Sequence, residues 1–483
     1  MRRKTLHRLR AVAVAAALAT APAIVAGQQA ADTDRSTGAE ERTEFEQLAR
    51  DVLEQLIEIN TEHSVGGTLE ASRAIARRLL DEGFPAEDVT VTEVAPGEGN
   101  VVARLHGRAT GRKPLLLLAH IDVVEAKPED WTLPPFELIE QDGTFYGRGV
   151  ADNKDEAAIY TAILIRMKRE GYRPDRDIIV ALTADEEGGG HNGVSWLLEN
   201  RPELIDAEYG LNEGGGGQVV DGVKVSNAVQ ASEKKFQNFT LEVTNPGGHS
   251  SRPRPDNAIY DLAAALIAVG AYTFPVNLNE VTTAFFSASA DIVDDADMAD
   301  AMRRIVADPQ DAEAATILSS DIHYNAMLRT TCVATLLNGG HASNALPQRA
   351  TANVNCRILP DESPDDVQAA LERAISDPNV TVTPQGRARN SVPSPLTEGL
   401  LHTIERVTEA TWPGVPVVPT MSTGATDGLM LRNAGIPIYG VSGLFYGETF
   451  AHGMNERIPV RAFYEGLAFL DRLVRALSSG EAS

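Results

Sequence analysis

The chain has 483 residues, more than one ordinary core holds, so two or more domains are expected. Acidic residues number 68 against 43 lysines and arginines, a formal net charge of -25. A surface this acidic repels phosphate backbones and anionic headgroups, which argues against nucleic acid and membrane-surface partners; small anionic substrates stay open, because a local basic pocket can sit in an acidic surface.

The first residues read as an export signal. Arg2, Arg3, Lys4, Arg8 and Arg10 make a basic start, 12–25 an apolar alanine-rich run, and Ala21-Pro22-Ala23 a small-residue cleavage site. The run is shorter than the ~20 residues of a membrane span. An uncleaved anchor is the alternative. The expected assignment is a signal peptide over 1–30 and a polar spacer over 31–43. It implies a periplasmic or secreted protein, with no stable membrane association once the signal is cut.

Apolar residues recur at helical spacing over 44–58 and 69–82. Strand-like runs follow at 89–91 and 101–105, and Leu115 to Ala119 is an unbroken apolar run that suits a strand buried on both faces. A helix at 157–170, a second buried strand at 177–183 and a helix at 193–200 complete an alternating α/β pattern, expected to form a mostly parallel or mixed sheet. After about residue 225 the pattern changes. A strand at 236–244, a helix at 256–272, strands at 330–338 and 350–359, a helix at 364–375 and a strand at 380–384 give the order β-α-β-β-α-β of a small ferredoxin-like α+β unit. Residues 276–325 are acidic with weak periodicity, and read as an extended insertion without an assigned structure. The α/β pattern then resumes with a helix at 396–412, strands near Val415 and Ile438, and a last helix at 460–477. The expected domains are a catalytic domain over 44–228 and 387–483, interrupted by an inserted lid or dimerisation domain over 229–386. Two cysteines exclude a disulfide scaffold. Cys332 and Cys356 sit in strand-like runs where one bridge is permitted, but they read as two buried free thiols.

Histidines and acids collect at the ends of the predicted buried strands, where open α/β sheets bind ligands. Leu115 to Ala119 runs into His120-Ile121-Asp122, and two-residue spacing in extended chain puts both side chains on one face. A nearby Asp suits the need of a ligating His for a fixed tautomer. Taken alone, His-x-Asp more often marks a satisfied core histidine. Tyr146 to Lys154 is a glycine-bearing turn that delivers Asp152 ahead of a helix, where a plain N-cap is the alternative. Asp185-Glu186-Glu187 follows the second buried strand; three consecutive acids there need a cation or full solvation. Glu213 precedes glycines after a short apolar segment, and His452 precedes the last helix. Two histidines and three carboxylates suit zinc, or less selectively cobalt or manganese. Five ligands exceed what one catalytic zinc uses and match two ions sharing a bridging carboxylate.

The segments LLLLAHID, YGRGVADNK, TADEEGG, NEGGG, GGHSSRP, SNALP, NCRILP, STGATDG and AHGMNE, in this order, resemble the two-zinc metallohydrolase family of aminoacylase, acetylornithine deacetylase, succinyl-diaminopimelate desuccinylase, glutamate carboxypeptidase and carboxypeptidase S. The insertion length and the run from His323 to Pro347 look most like the carboxypeptidase S branch. The resemblance implies hydrolysis of a peptide or N-acyl-amino-acid amide, carboxypeptidase-like first, with two Zn2+ per chain. It implies that His120 and Glu213 bind one ion, Glu187 and His452 the other, and Asp152 both. Asp122 would orient His120 and Glu186 would be the general base. From the inserted domain, His249 would stabilise the oxyanion, often across a homodimer, while Asn344 and Arg357 would bind the substrate backbone or carboxylate. Gly424 would line the carboxylate pocket. Some members carry Asp where Glu213 stands, which bears on substrate class more than on catalysis.

The inserted-domain residues have plain alternatives: a turn at His249, a hairpin at Asn344, a surface ion pair at Arg357. A catalytically inactive peptide-binding protein on the same scaffold is the rival reading, and its signature, a missing ligand or a missing Glu186, is absent. A serine hydrolase would need Gly-x-Ser-x-Gly, which Gly440-Val441-Ser442-Gly443 does not supply. The glycines at 214–217 lack dinucleotide-binding spacing.

Overall fold

The structure is a computed structural model that describes residues 42–188 and 190–479. The expected signal peptide and the spacer up to residue 41 lie outside the described residues.

The larger unit is a nine-stranded mixed sheet. Its order is Val89–Ala95, Glu98–Leu105, Ile178–Thr183, Leu115–His120, Tyr209–Asn212, Ile438–Gly440, Val223–Glu233 and Val417–Ser422, with Gly217–Val220 paired on Val223–Glu233. The uninterrupted apolar strands lie at its centre because both of their faces are covered. Leu115, Leu117 and Ala119 point into one core with the helices Glu44–Glu58, Lys154–Arg169 and Val460–Ser478. Leu116 and Leu118 point into a second core with Val194, Leu197 and Leu431 on the opposite face. Burying each such side chain contributes about 1.5–3 kcal/mol. Ile178–Thr183 and Tyr209–Asn212 flank Leu115–His120 in parallel, so the carboxyl ends of three neighbouring strands open on one edge.

The smaller unit matches the β-α-β-β-α-β order. Its antiparallel sheet runs Thr331–Gly339, Arg349–Ile358, Lys235–Thr244, Val380–Gln385. The helices Ala258–Ala271 and Pro364–Ile375 cover one face, closing a separate core of Phe239, Leu241, Val354 and Leu371. Strand Lys235–Thr244 alternates buried and half-buried or exposed residues, as a sheet with one covered face requires.

Two expectations are corrected. The acidic stretch at 276–325 is not extended. It folds into four short helices, Glu280–Ser289, Ala296–Ala307, Ala312–Leu318 and Ile322–Leu328, whose Phe285, Phe286, Met302 and Leu328 join the core of the larger unit. Asn279, Asp295, Asp311 and Asp321 cap their N-termini, so the acids that blurred the periodicity in part serve as caps. The second correction concerns the cysteines, which are not free thiols. Cys332 lies opposite Cys356 on adjacent strands, and the two form a disulfide.

That bridge spans a sequence separation of 24, for which loop-closure entropy gives roughly 3 kcal/mol. Replacing both cysteines by serine is expected to destabilise the smaller unit by about 2–4 kcal/mol in denaturant titration. An unchanged unfolding midpoint would contradict this assignment.

Candidate metal centre

Each proposed ligand is placed by a strand end or by a loop locked against one. His120 is the last residue of Leu115–His120. Glu187 and Glu213 follow the two flanking parallel strands within a few residues. Neighbouring strands lie about 4.8 Å apart, so short extensions from them converge without long loops. Asp152 sits just before the helix Lys154–Arg169. His452 comes from the loop ahead of strand Arg457–Pro459.

These five residues form two groups that share Asp152. In one, Nε2 of His120 is 3.0 Å from Asp152 Oδ1 and 3.6 Å from Glu213 Oε2. In the other, Nε2 of His452 is 2.9 Å from Glu187 Oε1 and 3.1 Å from Asp152 Oδ2. One oxygen of Asp152 therefore faces each histidine. Within each group the ligand atoms lie inside 4.8 Å of one another.

Burial pushes the Glu186 carboxyl up to about 10, with the charges of Glu213, Asp427 and Glu187 adding to it. Burial also raises Glu213, against the pull of His120. His120 ends well above its ordinary range: burial opposes its charge, but Glu213, Asp122 and Asp152 outweigh that. His452 is pushed up to about 10 by its hydrogen bonds to Asp152 and Glu187. Acids and imidazoles thus compete for protons, a demand that a pair of divalent cations meets directly. The imidazole and carboxylate donors, in two shared sets, fit two such ions.

Nδ1 of His120 faces Asp122, 3.1 Å from its backbone carbonyl and 3.6 Å from its carboxylate. The second carboxylate oxygen accepts the Glu187 amide at 2.9 Å, tying the two segments together. Sequence reasoning missed the residues that hold the loops. Glu456, fully buried, accepts from Arg148 at 2.5 Å and from the amides of Gly149 and Ala151, while Arg148 also donates to the Gly453 carbonyl. This pair binds the Asp152 loop to the His452 loop. Glu233, paired with buried Arg432, accepts the Thr426 amide at 3.0 Å and anchors the Gly424 loop. Asp427, held up at about 7 by burial, accepts from Asn192 and Thr183. Glu456, Arg148 and Asp427 stood inside the recognised motifs, but nothing in the spacing marked them as clamps.

Strain gathers at the same place. Phe450, His452 and Asn455 all take left-handed φ of 54–63°, and Asp185 takes 62°. Non-glycine residues hold that conformation only where surrounding contacts enforce it.

Among the described residues, no hydrogen bond or ion pair joins His249, Asn344 or Arg357 to the cluster. His249 is exposed and hydrogen-bonds Ser251, Asn344 is exposed and offers its backbone carbonyl to Ser250, and Arg357 stacks on Phe236 at 5.1 Å. Gly424 lies on the larger unit, its amide on Ser422 Oγ at 3.0 Å.

Residues 116–476 match the model of peptidase family M20/M25/M40. The chain is 30% identical over 394 residues to the Xenopus tropicalis N-fatty-acyl-amino acid synthase/hydrolase PM20D1, covering 75% of this chain and 72% of the relative. It is 28% identical to the probable carboxypeptidase S-like 2 of Dictyostelium discoideum (75% and 71% covered), and 26% identical to aminoacylase-1A of Rattus norvegicus (80% and 85%). Among solved structures, the metallo-carboxypeptidase Sso-CP2 of Sulfolobus solfataricus matches with TM-score 0.66 at 18% identity, covering 88% of this chain and 98% of that one. The Bacillus subtilis YXEP protein, a dinuclear metal binding peptidase, matches with TM-score 0.57 at 13% identity (90% and 98%).

Removing one partner of a buried ion pair leaves the other charge uncompensated. Glu456→Ala is therefore expected to cost about 3–5 kcal/mol of stability and to weaken metal retention through the freed loops. Unfolding titration and metal content after dialysis check both, and a neutral effect on each would remove Glu456 from the clamp.

Proposed function

Since this chain belongs to peptidase family M20/M25/M40, we propose that it hydrolyses a peptide or N-acyl-amino-acid amide bond with two zinc ions, cobalt or manganese being chemically acceptable substitutes. The observation that carries this is the pair of ligand groups sharing Asp152. His120 and Glu213 would hold one ion, Glu187 and His452 the other, with Asp152 between them. When bound, the ions supply Lewis acidity toward water and the amide carbonyl.

The chain's own residues move the protons. Glu186 follows a buried strand beside the ligands, where it would take a proton from the attacking water and return it to the leaving nitrogen. Nδ1 of His120, held by the Asp122 carbonyl, leaves Nε2 to face the first group. His249 is proposed to stabilise the oxyanion, from this copy or from a partner copy, and Asn344 and Arg357 to bind the substrate backbone or carboxylate. A homodimer is supported by the edge strand Thr331–Gly339, where Val333, Leu336 and Leu337 stand 59–71% exposed beside unpaired backbone. An exported location, periplasmic or secreted, agrees with the Cys332–Cys356 bridge, since disulfides persist in oxidising compartments. The inactive reading finds no support in the chain, which carries His120, Asp152, Glu187, Glu213, His452 and Glu186.

Glu186→Gln is expected to keep two metal ions per chain and lower kcat by about 10²–10⁴-fold on a panel of blocked peptides and N-acyl amino acids. Near-full activity would remove Glu186 from its role. A metal-loaded wild type that turns over no member of the panel would select the inactive alternative. For the dimer, light scattering should give two copies for the wild type and one for Leu336→Lys with Leu337→Glu; a monomeric wild type would reject it.

A further inference from the structure

Strand Lys235–Thr244 alternates, so Lys235, Gln237 and Phe239 point to one face of the smaller sheet and Phe236 to the other. Phe239 marks the first as the face that the helices cover. Arg357, proposed above to bind substrate, stacks on Phe236 and belongs to the second. On the helix-covered face lies a cavity of about 740 Å³. Lys235, which opens the strand, lines it together with the segment that follows strand Val380–Gln385 and leaves the smaller unit. No residue of the two metal-ligand groups lines it.

Its charge runs against that of the chain. Lys235, Arg387 and Arg389 line the cavity with a single carboxylate, that of Asp365, in a protein of net charge -25. Among the described residues none of these three cations stands in an ion pair. Lys235 is only 7% exposed, and its ammonium donates to one acceptor, the Glu362 carbonyl at 2.6 Å. Burial lowers its proton affinity against the pull of Asp361 and Glu362, as it does for a charge short of both water and partners. Arg389 donates to Met430 Sδ, a weak acceptor, at 3.1 Å. Among the described residues no hydrogen bond occupies the Arg387 guanidinium.

The walls are fixed. Gln237, 2% exposed, accepts the Ala388 amide at 2.8 Å and donates to the Gln385 carbonyl at 3.1 Å, so the segment with both arginines is held on the strand with Lys235. From the larger unit, Asn433 at the end of helix Gly428–Asn433 donates to the Asn390 carbonyl at 2.7 Å. Helix Pro364–Ile375 begins at the cavity, and the positive end of its dipole adds to the field of the side chains.

A preformed cavity with excess positive charge and unused donors fits an anion. Two guanidiniums and an ammonium offer more N–H groups than one carboxylate accepts, and they suit the three oxygens and double charge of a phosphate monoester. The volume leaves room for an organic body beside the phosphate. We propose that this cavity binds a small phosphate-bearing organic molecule, with Lys235, Arg387 and Arg389 as its counter-charges. It is a second ligand site, on the sheet face opposite Arg357, and it does not depend on the hydrolase reading.

The test titrates glucose 6-phosphate, with glucose and succinate as controls, into the metal-loaded full chain by calorimetry at low ionic strength, where such contacts are least screened. The wild type is compared with Arg387→Glu plus Arg389→Glu and with Lys235→Met, and metal content and melting temperature are measured for each. The wild type is expected to bind glucose 6-phosphate at least about tenfold more tightly than glucose or succinate. Both variants are expected to bind it at least about tenfold more weakly than the wild type. Arg387 and Arg389 are exposed, so their double variant folds and decides the matter even where Lys235→Met does not. Wild-type affinity in the double variant, which a phosphate seated on the metal ions would give, overturns the proposal. Glucose or succinate binding as tightly as glucose 6-phosphate, or no binding of glucose 6-phosphate by the wild type, overturns it as well.

Discussion

The structure is organised around a concentration of negative charge that the protein interior would not tolerate by itself. Asp152, Glu186, Glu187 and Glu213 meet beside two imidazoles at the carboxyl ends of three neighbouring strands. Burial, with the neighbouring carboxylates adding to it, raises the proton affinities of Glu186 and Glu213. A fold that keeps them together must compensate the charge, and dications do so with the fewest atoms. Shared use of Asp152 follows from the same constraint: in the proposed two-ion site its carboxylate would serve both ions and save one buried charge.

Such a cluster also demands rigid delivery. Strand ends give His120, Glu187 and Glu213 that rigidity directly. Asp152 and His452 come from loops, and the loops are fixed to each other by the buried Arg148–Glu456 pair and its backbone bonds. The left-handed backbone at Phe450, His452 and Asn455 is what this locking sustains. A second buried pair, Glu233–Arg432, fixes the Gly424 loop through the Thr426 amide. The geometry of the candidate metal site therefore rests on buried ion pairs outside the two ligand groups.

Much of this was legible in the sequence, and the reason is physical. Leu115 to Ala119 and Ile178 to Thr183 are unbroken apolar runs because both sheet faces are covered, so the acids that end them stand out sharply. The alternation of Lys235–Thr244 gave the smaller unit for the same reason in reverse. The helices over 280–328 were not legible. They are 7–12 residues long, and acids spent on caps interrupt the apolar rhythm. The disulfide was missed because pairing requires register between strands joined by a hairpin, and a Cys in a β-run looks the same bonded or free. Arg148 and Glu456 were unreadable as a pair because 308 positions separate them.

The distribution of cores also says how the parts divide their work. The smaller unit has a core of its own, built on Phe239, Leu241, Val354 and Leu371. The four short helices share the other core: Phe285, Phe286, Met302 and Leu328 are packed with Leu115, Leu117 and Leu182 of the strands that end in the candidate ligands. One stretch of sequence between the two parts of the α/β pattern thus builds two separate interiors.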